Sequence, residues 1–412
     1  FKHICVRRLF ARPRIWFKLT LLGEHMKKFV KMSLVAALAI TGTVASAQPL
    51  ADAIQNVDVS GTVLYRYDDR GNDTYNGAAT DTNGAAAGDG EGVTNQYKIG
   101  VSLSAKVNDD VKFNSRVTAN QGFAAAPGNT TTNSDVAVAL ALTEANFAYT
   151  GIANTTVKVG KQGLATPWTN AIDSDGSEQT GTGILAASTM GPVTAAAGYF
   201  NQTNVSTDGS NLIVAGIMAK AAMVNLEAWY LDIDDALDSY YFGANASFDV
   251  SAVKIGVDAK YTTMDVDGAA ANADDFGNYE VGITAAMGIF NAGLAYAESD
   301  KNGDGILNSV AKNGQIGYTA NLNGTTEADM VMVDLGAQVT PELHVGLNYD
   351  VVSDNTTGSK ADDHTETFVQ VTYQMSKNLM TYVRLADGKD MDTTSGQEID
   401  YNRGRLQVQY SF

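Results

Sequence analysis

Gly404-Arg405-Leu406-Gln407-Val408-Gln409-Tyr410-Ser411-Phe412, the last nine residues, change character at every step. In an extended strand successive side chains point to opposite faces. Leu406, Val408, Tyr410 and Phe412 therefore share one face, and Arg405, Gln407, Gln409 and Ser411 the other. One face suits an apolar medium and the other suits water. Soluble sandwiches use strands of the same kind, so the fold turns on how many such strands there are and how they are spaced.

Alternating segments recur from Val57 onward, and the gaps between them are long and short in turn. Val57 to Asp68 is followed by a Gly/Asn/Asp-rich stretch, whereas only Asn108-Asp109-Asp110 separate a strand over 96–107 from one over 111–122. Gly191-Pro192 and Lys220-Ala221-Ala222 are further short turns, as are Thr340-Pro341-Glu342 and Ser376-Lys377-Asn378. The pattern predicts about eighteen strands, with a range of sixteen to twenty because residues 310–326 could hold one more hairpin. Proline cannot donate to a sheet ladder, and Pro127, Pro167, Pro192 and Pro341 all fall in gaps. An even number of short amphipathic strands, with short turns at one end and long loops at the other, predicts an all-β transmembrane antiparallel barrel.

The chain of 412 residues carries a net charge of −18. Residues 1–47 hold nine of the 28 Lys+Arg and one of the 46 Asp+Glu, so residues 48–412 carry 19 against 45, a net −26. That acidity argues against a nucleic-acid partner, which needs a basic footprint. Met26-Lys27-Lys28 leads into an apolar run over 32–44 and Ala45-Ser46-Ala47, the order of a signal peptide cleaved before Gln48. Residues 1–25 are expected to be translated upstream sequence, and 48–412 the barrel. The single Cys, Cys5, precedes the predicted cleavage point, so the exported chain holds together without disulfides. No later segment has the ~20 apolar residues of a membrane helix.

Two stretches carry a family resemblance. Ala53-Ile54-Gln55-Asn56-Val57-Asp58-Val59-Ser60-Gly61 with Tyr65-Arg66-Tyr67-Asp68 resembles the opening of the Campylobacter-type major outer-membrane porins. Gly160-Lys161-Gln162, Trp168-Thr169, Asn170-Ala171-Ile172-Asp173 and Gly181-Thr182-Gly183 are similar to that family's segment from strand to constriction loop, and Phe412 matches its end. The chain departs from the pattern at Pro167, over 174–180 and in its abundance of small residues. The resemblance implies an eighteen-stranded homotrimeric diffusion channel of the bacterial outer membrane that favours cations. It also points to residues 163–180, with Trp168, Asp173, Asp175 and Glu178, as a loop folded into the pore, where clustered carboxylates favour cations. The alternative use of those acids is an exposed, solvated loop.

On the predicted register the inner face carries Arg66, Lys98, Lys112, Arg116, Lys158, Arg384 and Arg405, opposed by Glu144, Glu227, Asp258, Asp334 and Asp350. Charge on the lumen face costs little, whereas at mid-bilayer on the lipid face it costs about 2–4 kcal/mol. Either a transverse field across the pore or plain solvation of a wet interior accounts for the set. Tyr410 and Phe412 are expected to act as signal for the assembly machinery and as the barrel seam. Asp300, Asn302 and Asp304 match the first half of a calcium loop, but Ala311 stands where a bidentate Glu is required, so at most a weak Ca²⁺ site is expected and no cofactor is required. His344 and His364 are too isolated for a zinc site or a catalytic triad. The expected partners are outer-membrane lipid and lipopolysaccharide, reached through the acidic loops, and the small solutes and ions that cross. A substrate-specific channel, which lumen aromatics lined up with charges would favour, and a barrel that only anchors an adhesive surface are the alternatives. No catalytic constellation supports an enzyme.

Overall fold

The computed structural model describes residues 57–72, 92–121, 139–173, 178–205, 209–267, 276–307, 312, 317–355, 364–392 and 397–412. The expected signal peptide, residues 1–25 and Asp175 lie outside the described residues.

Eighteen strands form one sheet. They are β1 (Val57–Asn72), β2 (Gly92–Lys106), β3 (Val111–Gln121), β4 (Ala139–Ile152), β5 (Thr155–Gly163) and β6 (Thr180–Met190). Next come β7 (Val193–Thr203), β8 (Leu212–Ala221), β9 (Val224–Ile233), β10 (Leu237–Val250), β11 (Val253–Val266) and β12 (Phe276–Met287). The last six are β13 (Phe290–Ser299), β14 (Ala328–Gln338), β15 (Leu343–Asp354), β16 (His364–Ser376), β17 (Leu379–Asp392) and β18 (Gln397–Ser411). Each pairs antiparallel with its sequence neighbours, and β1 also pairs with β18, which closes the barrel and leaves no free edge. Connections after even-numbered strands hold two to four residues, while those after odd-numbered strands reach 28, at 300–327. Several two-residue turns put a residue in the left-handed region (Asn154 φ 56°, Gly191 φ 60°, Ser251 φ 58°), as tight hairpins require.

The alternation read in the closing strand holds around the wall, with its sense inverted relative to a soluble protein. Leu406, Tyr410 and Phe412 are exposed, like Val59, Ile99 and Leu347, whereas Gln407, Arg66 and Lys98 are each 5% exposed or less. A water-soluble sandwich would bury the first set and solvate the second. Here the apolar face looks outward, which a closed sheet tolerates only with lipid around it. Aromatic pairs stand on this outer face at both ends: Tyr230–Tyr240 and Tyr279–Tyr296 toward the long loops, and Phe113–Phe147 and Tyr410–Phe412 toward the short turns. These are the positions of interfacial girdles.

Of residues 310–326, expected to hide an extra hairpin, the described ones belong to no wall strand. Residues 300–327 form one connection, and its described part enters the lumen.

Candidate pore constriction

Two loops fold inward, and their apolar residues meet. The β5–β6 loop (164–179) inserts Leu164 and Trp168 among Phe200, Leu212, Val214, Leu231, Ile233 and Tyr241. Trp168 is fully buried, its ring edge-on to Tyr241 at 6.2 Å. Leu307 of the β13–β14 loop packs against the same cluster. Barrel interiors are normally polar, so this cluster is a local dry core whose task is to hold loops in place. Trp168→Ala is expected to cost about 3–5 kcal/mol of loop anchorage. It should appear as noisier open-channel current in planar bilayers, and quiet wild-type current would count against the anchoring role.

The other end of the β5–β6 loop is held by charge. Glu178 accepts two hydrogen bonds from Arg116, at 3.0 Å from Nε and 2.6 Å from Nη2, and an ion pair from Lys98 at 3.0 Å. Lys98 also donates to the Asp173 carbonyl. All four residues are buried. Burial pushes the Glu178 carboxyl up, but Arg116 and Lys98 outweigh it and hold the group below the ordinary carboxylate range. The loop thus enters the lumen as expected. Of its described carboxylates, however, Glu178 is neutralised by the wall and Asp173 is 7% exposed, so neither lines open water.

The wall charges fall into two groups, in which Arg403, Glu280 and Glu366 join the predicted residues. Arg384, Arg403, Arg405, Arg66, Lys98 and Arg116 occupy five adjacent strands, β17, β18, β1, β2 and β3. Glu227, Asp258, Glu280, Asp334, Asp350 and Glu366 occupy β9, β11, β12, β14, β15 and β16, an acidic run of wall that ends beside the basic one at β17. Neither side is pure. Arg405 forms a forked pair with Asp68 (2.6 and 3.2 Å), and Lys260 pairs with Glu280 at 2.8 Å. Lys158 lies on the inner face opposite Leu185, and Glu144 stands opposite Arg116 beside a register shift.

The sequence reading missed the second loop. Lys312 pairs with Glu227 and lies over the Tyr241 ring at 5.9 Å. The chain then reaches the basic side, where the Tyr318 ring lies 4.7 Å from the Arg384 guanidinium and 5.0 Å from that of Arg405. Phe368 and Tyr382 also face Arg384, at 4.8 and 5.6 Å. Lumen aromatics lined up with charges, not evident in the sequence, are therefore present. Ala320 and Leu322 bring the loop back to the wall against Met330 and Val352. At its root, Asp304 accepts the Ile306 amide at 3.0 Å and that of Gly324, and Asp300 accepts the Lys301 amide, so these carboxylates hold the loop's own turns. Among the described residues no three His, Cys, Asp or Glu side chains gather as for a metal. Toward the short turns, small inner-face residues such as Gly256, Gly293 and Gly346 leave a cavity of about 530 Å³.

Two inward loops inside a closed barrel with an apolar exterior make a narrowed aqueous path through a membrane. The family model described as the Campylobacter major outer membrane protein matches residues 26–212. Over that stretch the chain is similar to this family. No curated protein matches it in sequence. Among solved structures it is similar to Pseudomonas aeruginosa OpdL (TM-score 0.66, 16% identity, 87% of this chain and 99% of that one). A BenF-like porin from Pseudomonas fluorescens matches comparably (0.65, 16%, 87% and 99%), as does Pseudomonas aeruginosa OpdK, crystallised with vanillate (0.64, 14%, 86% and 98%). Such identities speak to fold, and the fold is shared over nearly the whole of each neighbour. The family match and the barrel together make this chain a porin channel of the bacterial outer membrane.

Proposed function

We propose that the channel passes small hydrophilic solutes and ions by passive diffusion, performs no catalysis, and prefers cations weakly. The observation that carries the preference is the row of carboxylates along β9 to β16. It sits behind a strongly acidic set of loops, since residues 48–412 carry a net −26. Charge-lined pores select by such fields. With Glu178 already paired, the preference comes from the wall and the mouth rather than from the β5–β6 loop. In a salt gradient the refolded protein should show large ohmic steps and a cation-favouring reversal potential. Neutralising Asp258 and Asp334 together should weaken it, and Asp173→Asn should leave it nearly unchanged. An anion-favouring potential would overturn the reading. The family resemblance supports a homotrimer, and the apolar end of β18 supports recognition by assembly machinery through Tyr410 and Phe412. The acidic loops would meet lipopolysaccharide through divalent cations.

The guanidinium of Arg384 among three rings favours a second reading, a channel that recognises solutes carrying both a carboxylate and a flat apolar part. Benzoate would then block the current at concentrations where acetate does not.

A further inference from the structure

The β13–β14 loop is held to the basic side of the lumen by one carboxylate. Glu366, fully buried, accepts the amides of Tyr318 (2.6 Å) and Thr319 (3.0 and 2.9 Å), the Thr319 hydroxyl, and the Tyr401 hydroxyl at 3.1 Å. Its oxygens are saturated, which suits a fixed anion and leaves no place for a metal. Directly across the ladder stands Asp350, 3% exposed, whose Oδ2 has no hydrogen-bond partner. The two carboxylates are close. A Cβ on Gly317 would stand 2.4 Å from Asp350 Oδ2 and 2.9 Å from Glu366 Oε1, so the loop backbone lies on top of both. Two buried like charges in one site repel strongly, and one proton shared by the pair removes the repulsion.

A tyrosine braces the same anchor. Tyr401 contacts Thr319 Oγ1 at 2.8 Å and His364 Nε2 at 3.0 Å, and His364 Nδ1 faces Asp390 at 3.8 Å, near the long-loop end.

We propose that Asp350 and Glu366 form a proton-binding site that locks Gly317-Tyr318-Thr319 of the β13–β14 loop to the lumen wall, tight in acid and released as the pH rises. One proton shared by the pair silences the repulsion beneath Gly317. The charged and titratable groups facing the site are Asp334 from β14, Arg384 and Asp390 from β17, Arg403 and Arg405 from β18, and Tyr318 from the loop itself. The lock rests on the porin reading, because its output is current.

The test is single-channel conductance of the refolded barrel at pH 5 and pH 8. Wild type should conduct at least about twofold more at pH 8. Asparagine carries no charge at any pH, so Asp350→Asn should give low, pH-independent conductance, the acid state made permanent. Glu366→Gln, which removes the anion that accepts the loop amides, should conduct at the high level at both values. His344→Gln, far from the anchor on the same inner face, should keep the full response. A flat wild-type profile, or an Asp350→Asn variant that keeps the wild-type response, overturns the lock, because a field effect of the other lumen charges would survive the substitution. Absence of steps from a folded barrel would instead overturn the porin reading.

Discussion

Glu178→Ala is expected to widen the channel severalfold in conductance and to move its reversal potential toward anions. Glu178 is 6% exposed and is the shared counter-ion of Arg116 and Lys98, both at least as buried. Taking away one partner of a buried ion pair leaves uncompensated charge, at a cost of about 3–5 kcal/mol. The chain avoids that cost by letting the two cations rehydrate. To do so it must lift Asp173 and residue 178 off Lys98 and Arg116, leaving the β5–β6 loop held at its Trp168 end and by the Asn204 bond to the residue 178 carbonyl. The pore then gains both width and two free positive charges. Glu178→Gln should behave similarly, since an amide keeps the shape but not the charge. Acid alone should not reproduce the effect until the pH is low. A carboxyl held below its ordinary range contributes its stabilisation above the unfolded value, near 4.3, and loses it only as the pH falls through the lower folded value. The two loops are thereby separated by experiment: the Glu178 clamp persists at pH 5, where the Glu366 lock is also tight, and only the latter changes between pH 5 and 8. Wild-type conductance from a folded Glu178→Ala barrel would mean that the apolar cluster alone holds the loop.

What could be read in the sequence is what period-two geometry dictates. Once Leu406, Val408 and Tyr410 are placed outward, every paired strand follows, and the inner positions of Arg66, Lys98, Arg116 and Arg384 come with them. The placement of Glu178 in the lumen was legible through its family stretch. Its neutralisation was not, because Arg116 lies 62 residues away and the salt bridge depends on how the loop turns. The β13–β14 loop was illegible for the same reason in a stronger form. Thr319 meets Tyr401 across 82 residues, and nothing local distinguishes Gly317-Tyr318-Thr319 from a solvated loop tip. Its length and its apolar Ile306, Leu307 and Leu322 were the available signal, since an exposed 28-residue loop has no need of them. His364 is a like case. It is isolated in sequence, and only the fold brings it to a tyrosine on β18.

Gly61→Val is expected to prevent barrel closure altogether. The first and last strands meet where the Gly61 amide donates to the Phe412 carbonyl at 2.9 Å and the Phe412 amide donates back at 3.0 Å. A Cβ at Gly61 would stand 2.4 Å from the Gly100 carbonyl oxygen on β2 and 2.7 Å from the Phe412 ring. The ring can swing away, but the carbonyl cannot move without opening the β1–β2 ladder at the strand that also closes the barrel. Overpacking of this kind costs about 3 kcal/mol even where side chains relax, and here the obstacle is backbone. The substitution also falls at the seam, where one failed pairing exposes two strand edges rather than one local defect. Phe412→Ala isolates the contribution of the ring. It keeps the backbone exchange with Gly61, and Ser411 remains tied to Asn378 by the 2.8 Å and 2.7 Å bonds at the β16–β17 turn. That variant should fold in reduced yield, with normal conductance per folded channel. The check is the fraction of refolded protein that migrates as a compact, heat-modifiable band: near zero for Gly61→Val, intermediate for Phe412→Ala. Equal yields for both would mean that closure depends on the terminal aromatic rather than on the close approach of β1 to β2.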